Sequence, residues 1–330
     1  MIKLKGIYTI RDTPQAHFWD IVFEWEDQMA ASLGIPLVFV GKEYDTIYKP
    51  GLSKKLLNRA NAYQLRDQVL YNPDGYYLAF HIGPPGVYSF HSRKDVIPII
   101  IDFWKGENIP RLESIFKLSH TVFVTSMEVL NYLRDVKVRV NVQHLALSLP
   151  DKNISLNNST VRDIDIIQIG RSNAAFNEYM NQFLAEYPET HYVSAKKIDN
   201  ELCVFSNRSG SMGVFKERVD FLSLLKRSKI SLVSAPGLDD DKVRTGGFSP
   251  VTPRFLESAA CGCKLIGIYP NNADFEYYLM KEVCESVSNY SEFKKATSEY
   301  LSNPLAPDYS RFLARHTTSR RANELIEKLK

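Results

Sequence analysis

Residues 147–170 read LSLPDKNISLNNSTVRDIDIIQIG, and this stretch decides the fold. Its first part has no apolar period and fills with Ser, Asn, Asp and a Pro, the composition of a connection rather than an element. DIDIIQIG (163–170) then restarts a pattern, a short β-branched strand closing on a glycine turn, as at the start of a Rossmann-like unit. A chain that ends one α/β series and opens another is expected to hold two.

Upstream, strands are expected at IPLVFV (35–40), YYLAFHIG (76–83), VIPIIIDFW (96–104), HTVFVTS (120–126) and VNVQHLAL (140–147). Helical spacing falls between them near 17–33, 52–69, 110–118 and 126–135, the last opening after Thr125 and Ser126, either of which suits an N-cap. Downstream, the helix AAFNEYMNQFLAEY (174–187) precedes strands at THYVSA (190–195), LCVFS (202–206), KISLVSA (229–235) and CKLIGI (263–268). From 310 to 330, Phe312, Leu313, Ala322, Leu325, Ile326 and Leu329 form one helical stripe. Strands alternating with helices predict parallel sheets with crossover helices. The expected layout is two doubly wound units, 1–150 and 163–307, a linker over 151–162, and a closing helix over 308–330 that packs back towards the first unit.

Composition supports two cores and narrows the partners. The 330 residues are 44% hydrophobic, ample for two compact units. Lys and Arg total 41 against 38 Asp and Glu, and a net charge of +3 argues against nucleic acid as the partner. The opening MIKLKGIYTIRDTP has no long apolar region, and no stretch nears the roughly 20 apolar residues of a membrane span, so a cytoplasmic protein is expected. Cys203, Cys261, Cys263 and Cys284 contain one CxC with no second pair or nearby histidine, which reads as buried reduced thiols and not zinc.

The chemistry concentrates in GGFSPVTPRFLESAACGCKLIGIYP (246–270). Thr252 suits an N-cap, Pro253 a first helical residue, and Gly262 a stop, so a helix is expected between them, directly after a glycine-bearing loop. A helix N-terminus offers bare backbone N–H groups and a positive dipole end, and Arg254 adds a bidentate cation in the first turn. Together they suit a diphosphate. Glu257, one turn deeper, suits the vicinal diol of a ribose, because a carboxylate accepts two hydrogen bonds; an ordinary ion pair with Arg254 or another base is the alternative. Gly170 and Arg171 close the first strand of the second unit, where open α/β sheets hold ligands, which makes Arg171 a second diphosphate cation and Ser172 its neighbour in donor binding. Lys229, Lys242 and Arg244 read as solvated charges.

The run TPRFLESAACGCKLIG resembles the donor-site helix of retaining, family-4-like GT-B glycosyltransferases, especially the branch grouped with spore-maturation-type proteins. IQIGR (167–171), SKISL (228–232) and HTTSRRANELIEKL (316–329) extend the resemblance over roughly 163–330, while the first half is similar in layout only. The resemblance implies a GT-B fold, two Rossmann-like domains facing across a cleft, with the acceptor on the N-terminal one and a nucleotide sugar on the C-terminal one. It implies a metal-independent and retaining transfer to a saccharide or lipid-linked glycan, in bacterial surface polysaccharide synthesis, with no cofactor beyond the nucleotide-sugar co-substrate. Such acceptors allow a peripheral seat at the inner face of the membrane. In that family an acidic residue lies eight positions before the helix glutamate; here Ser249 stands there, leaving Gly246, Gly247 and Ser249 as candidates for the sugar hydroxyls.

Candidates on the acceptor side are His81, where a strand meets a Gly-Pro-rich loop, and Asp102, which ends another strand; both are also candidates for catalysis with Arg171 and Arg254. Asp12 and His17 follow the first strand, and Tyr88, Phe90 and Trp104 suit a groove for sugar rings. Four rival readings stand beside this one. Asp239-Asp240-Asp241 contains the D-x-D of metal-dependent GT-A enzymes, but a linker and a second strand series precede it. A nucleotide-sugar epimerase or hydrolase shares the scaffold, and a noncatalytic sugar-binding subunit fits the Ser249 departure. A dinucleotide oxidoreductase is not expected, because no G-x-G-x-x-G opens a helix after either first strand.

Overall fold

The computed structural model describes residues 2–12, 19–40, 73–85, 90–154, 161–170, 173–199, 201–215, 217–239, 241–303 and 305–330; the helix expected over 52–69 lies outside them. The chain divides into two units, one of Met1–Leu147 with Thr318–Lys330 and one of Ser148–Thr317.

In the first unit, strands β1 (Leu4–Thr9), β2 (Leu37–Phe39), β3 (Tyr76–Ile82), β4 (Val96–Ile101), β5 (Val122–Val124) and β6 (Val142–His144) form one sheet in the order β2-β1-β3-β4-β5-β6. Every pairing is parallel. β4 is buried at all six positions, as its continuous apolar run demands of a parallel strand covered on both faces. The strand stops at Ile101, short of the apolar run that continues to Trp104, because Asp102 takes a left-handed φ of 56°. Helices α1 (Asp20–Leu33), α2 (Ile109–Phe116) and α3 (Met127–Asp135) follow β1, β4 and β5. Ser126, rather than Thr125, caps α3, accepting from the Val129 amide at 3.2 Å. Asn108 caps α2 in the same way, at 2.9 Å from the Arg111 amide.

Arg11, just past β1, fixes α1 to the sheet. Its guanidinium donates to Thr9 Oγ1 (3.2 Å), the Phe23 carbonyl (2.9 Å), Asp27 (2.8 Å) and Glu26 (3.1 Å). Glu26 is only 1% exposed, and burial pushes its carboxyl up to about 7 against the pull of Thr9 and Arg11.

The second unit holds strands β7 (Ile164–Gln168), β8 (Tyr192–Ile198), β9 (Glu201–Ser206), β10 (Gly210–Val214), β11 (Ser228–Ser234), β12 (Lys264–Ile268) and β13 (Cys284–Ser286), in the order β10-β9-β8-β7-β11-β12-β13. The five strands β8, β7, β11, β12 and β13 are parallel. β9 departs from the expected parallel layout: it runs antiparallel to both β8 and β10. β10 was not expected from the sequence. It follows a turn over Asn207–Ser209 that closes on Gly210, φ 74°.

The helices are α4 (Ala174–Glu186), α5 (Arg218–Lys226), α6 (Lys242–Thr245), α7 (Pro253–Ala260), α8 (Ala273–Tyr277), α9 (Tyr290–Ser302) and α10 (Ser310–Ala314). They cover both sheet faces. Ile166, Ile230, Leu232 and Ile266 pack with Phe176, Met180 and Phe183 of α4 and Phe293 and Ala296 of α9. Ile167, Ile169, Val193 and Val204 pack with Phe221, Leu222, Leu224 and Leu225 of α5, and with Cys261 and Cys263. Burial pushes the Cys263 thiol up to about 12, which leaves it an inert core group.

The tail that reads as one helix is two: α10, and α11 (Thr318–Lys328), which belongs to the first unit and packs on α1. Arg321 of α11 is buried and donates to the Ala146 carbonyl at 3.1 Å and to Glu324 at 2.8 Å. Among the described residues, no helix is long and apolar enough to cross a membrane.

Candidate functional site

From β7 the chain moves outward to β8, β9 and β10, and then returns to the other side of β7 to form β11. The carboxyl ends of β7 and β11 are therefore the point where strand order reverses, the place where open α/β sheets leave a crevice for ligands. The crossover helices run against the strands, so the N-termini of α4, α5 and α7 lie at this same edge. Gly170 follows β7 here with φ 103°, a conformation that side chains strongly disfavour.

α7 spans the expected residues, with Pro253 first and Gly262, φ 72°, just beyond its end. Thr252 differs from expectation. It has the extended backbone of an N-cap (φ −99°, ψ 159°), but its side chain makes no capping hydrogen bond. The residue before a proline is held extended in any case, so the turn forms without that bond.

Arg254 lies directly on Gly170. A Cβ placed on that glycine would stand 3.0 Å from Arg254 Nη2 and 3.2 Å from Cζ. The guanidinium also rests over Phe221 of α5, its Cζ 3.7 Å from the ring centroid. Among the described residues, Nε and Nη1 are buried with no hydrogen-bond partner; Nε faces Glu257 Oε2 at 3.6 Å. Burial lowers the affinity of this guanidinium for its proton, Glu257 opposes that, and Arg218 adds to it. Glu257 is 2% exposed, and Oε1 accepts from Nη1 of Arg218, the first residue of α5.

The glycine-bearing loop lies just before α7. Gly246 and Gly247 have φ 64° and 91°, and the Gly247 amide donates to Thr245 Oγ1 at 3.1 Å. Ser249 is buried, and its carbonyl accepts from Asn272 Nδ2 at 3.0 Å, which ties the loop to the end of β12. Lys229 pairs with Asp165 (2.6 Å), and Arg244 with Asp241 (2.6 and 2.9 Å). The structure thus brings Gly170, Arg254 and Glu257 together. Arg171 and Ser172 lie outside the described residues, as does Asp240 of the acidic run. Among the described residues, no group of three His, Cys, Asp or Glu is arranged to hold a metal ion.

Arg218 and Phe221 were missed in the sequence. One signal was present: an arginine in the first turn of a helix opposes the dipole, which favours a compensating carboxylate.

Gly170→Ala is expected to cost about 1–3 kcal/mol of stability from backbone strain, and to weaken nucleoside diphosphate binding by displacing the guanidinium. Thermal melts check the origin of the cost. In an Arg254→Ala background the steric part disappears, so the alanine there costs measurably less.

In the first unit the strand order reverses between β1 and β3. Asp12 is exposed just past β1, and His81 is at the end of β3; His17 and Tyr88 lie outside the described residues, as does the side chain of Phe90. His81 Nδ1 donates to the Gly83 carbonyl at 2.6 Å, while the Gly83 amide donates to the Ile101 carbonyl at 2.6 Å. His81 is thereby anchored beside Asp102, whose left-handed backbone ends β4, with half-buried Trp104 two residues on. Burial lowers the pKa of His81, keeping the ring neutral, and the buried His91 ring packs edge-on against it at 4.6 Å.

No family model matches the sequence, and no curated protein matches it. Among solved structures, the chain is similar to a putative UDP-N-acetylglucosamine 2-epimerase from Listeria monocytogenes, with a TM-score of 0.52 and 10% identity over 100% of this chain and 96% of that one. The UDP-GlcNAc 2-epimerase of Methanocaldococcus jannaschii, in complex with UDP-GlcNAc and UDP, aligns over 99% of both chains with a TM-score of 0.46 and 11% identity. The glycotransferase of kitacinnamycin aligns over 99% of both chains with a TM-score of 0.44 and 14% identity. At such identities the likeness is one of fold. With a six-stranded and a seven-stranded sheet, each wound with helices, the chain has the GT-B type of architecture, built of two Rossmann-like units.

Proposed function

We propose that the chain is a nucleotide-sugar enzyme of this architecture, a glycosyltransferase that takes its donor on the second unit. The observation that supports this most is the Arg254 guanidinium at the β7 tip, laid on Gly170 with two buried nitrogens that have no hydrogen-bond partner among the described residues. As a glycosidic bond breaks, negative charge develops on the departing diphosphate. A fixed cation at a helix N-terminus stabilises that charge, with no metal ion needed in the proposed mechanism. Gly247 and Ser249 are assigned to the donor sugar, Thr252 to the bare turn of α7, and Gly170, Arg171 and Ser172 to the diphosphate.

The family-4-like reading rests on the PRFLE run. It favours retention, with a donor phosphate oxygen helping to take the acceptor proton. The acceptor, a saccharide or lipid-linked glycan, is assigned to the first unit, at the ends of β1, β3 and β4. There burial keeps His81 neutral near the end of β4 and Asp102, and Asp12, His17, Tyr88 and Trp104 complete the candidates. A nucleotide-sugar epimerase is the second reading, favoured by the fold shared with the Listeria protein.

One experiment separates these readings. UDP, GDP, CMP and dTDP sugars are screened by thermal shift with and without EDTA, and the hit is then incubated with and without saccharide acceptors. The transferase reading expects one donor class to raise the melting temperature equally with EDTA present, and expects acceptor-dependent release of the nucleoside diphosphate. An epimerised nucleotide sugar supports the second reading, and binding without turnover a noncatalytic role. A melting temperature indifferent to every nucleotide sugar overturns the proposal.

A further inference from the structure

We propose that Phe221 is the positioning residue for the diphosphate cation: its ring holds the Arg254 guanidinium by the face, which leaves the N–H donors at the edge for an anion. The inference rests on the diphosphate reading above and deepens it, by naming what fixes the cation.

The contact is a close one. Arg254 Cζ lies over the Phe221 ring, 3.7 Å from its centroid, whereas attraction between a cation and an aromatic face reaches out to about 6 Å. Glu257 adds charge but no hydrogen bond to Nε. Its Oε2 lies 3.6 Å from that atom, beyond hydrogen-bond length, and its Oε1 accepts from Arg218. Among the described residues, nothing accepts a hydrogen bond from Nε or Nη1, although both are buried.

Such a hold suits a cation kept ready for a ligand. A carboxylate set squarely against the guanidinium fork would engage two donors and neutralise the charge. A ring attracts the cation and engages no in-plane donor. The support is also rigid. Phe221 is 8% exposed, lies one turn into α5, and belongs to the same core cluster as Ile167 of β7 and Ile169 just past it. The ring is thus anchored to the strand whose tip carries Gly170, and less ordering of the Arg254 side chain remains to be done when a diphosphate binds.

A phenylalanine that served the core alone would affect stability and leave the affinity of the folded protein unchanged. Calorimetric titration of inorganic pyrophosphate, run below the lowest melting temperature of the set, separates the two roles. Phe221→Leu, which keeps apolar bulk without a ring, should bind pyrophosphate about tenfold more weakly than wild type. Phe221→Tyr, which keeps the aromatic face, should stay within about threefold of wild type. In an Arg254→Ala background, Phe221→Leu should change the affinity no further, because the cation it positions is gone.

Wild-type affinity in Phe221→Leu overturns the positioning role. So does a loss as large in Phe221→Tyr, or an equal loss from Phe221→Leu with and without Arg254. If Phe221→Leu fails to fold, Phe221→Met, flexible and equally without a ring, takes its place in each comparison with the same expected loss. Wild-type protein that binds neither pyrophosphate nor any nucleoside diphosphate removes the diphosphate reading itself; binding that is intact in wild type and indifferent to Phe221 removes this inference alone.

Discussion

Arg254→Ala is expected to lower turnover on the donor by about 10²–10³-fold, the range seen when one preorganised donor to a developing anion is removed. Nucleoside diphosphate affinity should fall with it, because the same guanidinium meets the ground-state diphosphate. The fold should survive. Glu257 keeps its bond to Arg218, so no buried carboxylate is left without a cation. What is lost is the stack on Phe221, on the order of 1–2 kcal/mol, partly offset because a buried charge is removed as well. Steady-state kinetics beside a melting curve separate the two effects. A variant with wild-type kinetics, or one that loses activity only by unfolding, contradicts the assignment.

The first unit makes an independent prediction, in stability. Glu26 is raised from 4.5 to about 7 by burial, so between those values the folded state holds a proton that the unfolded state has released. Stability from this group is fully present below about 4.5 and is lost as pH rises through 7, by about 3 kcal/mol in all. His81, His91 and His144 act with the opposite sign, since burial lowers their pKa values and the unfolded chain takes up protons first as pH falls. Comparing wild type with Glu26→Gln cancels the histidines. Wild type minus variant should fall by about 3 kcal/mol from pH 4.5 to 7 and stay level above it. All three tryptophans, Trp19, Trp25 and Trp104, lie in the first unit, so tryptophan fluorescence in urea follows its unfolding alone. A difference that does not vary with pH places the carboxyl in an ordinary solvated state.

The strands were legible because parallel strands covered on both faces must be largely apolar; β4 announces itself in this way. Their ends were not, since backbone rather than composition sets them: β4 stops at the left-handed Asp102 inside an apolar run that continues to Trp104. LCVFS reads as a strand but carries no mark of direction. Its antiparallel course follows from the two residues, 199 and 200, that join it to β8, a connection too short for the crossover a parallel strand needs and a signal present but not used. The closing stripe of Phe312, Leu313, Ala322 and Leu325 is buried as expected, yet it hides a break after Arg315. There His316 packs between Tyr278 and Phe312 in a contact that helical periodicity does not report.

At the site, Arg254 and Glu257 were legible because a helix start, a proline and a charge fall within six residues. Arg218 was not, because it meets Glu257 from 39 residues away and stands in a charged stretch that reads as solvated. Long-range pairing of this kind needs coordinates.

The most direct test of the central claim is a crystal structure of the protein with a nucleoside diphosphate bound. The β-phosphate is expected above Gly170, with an oxygen about 2.7–2.9 Å from an Arg254 nitrogen and the α7 N-terminus facing it. A diphosphate bound away from the β7 and β11 ends, with Arg254 untouched, contradicts the account.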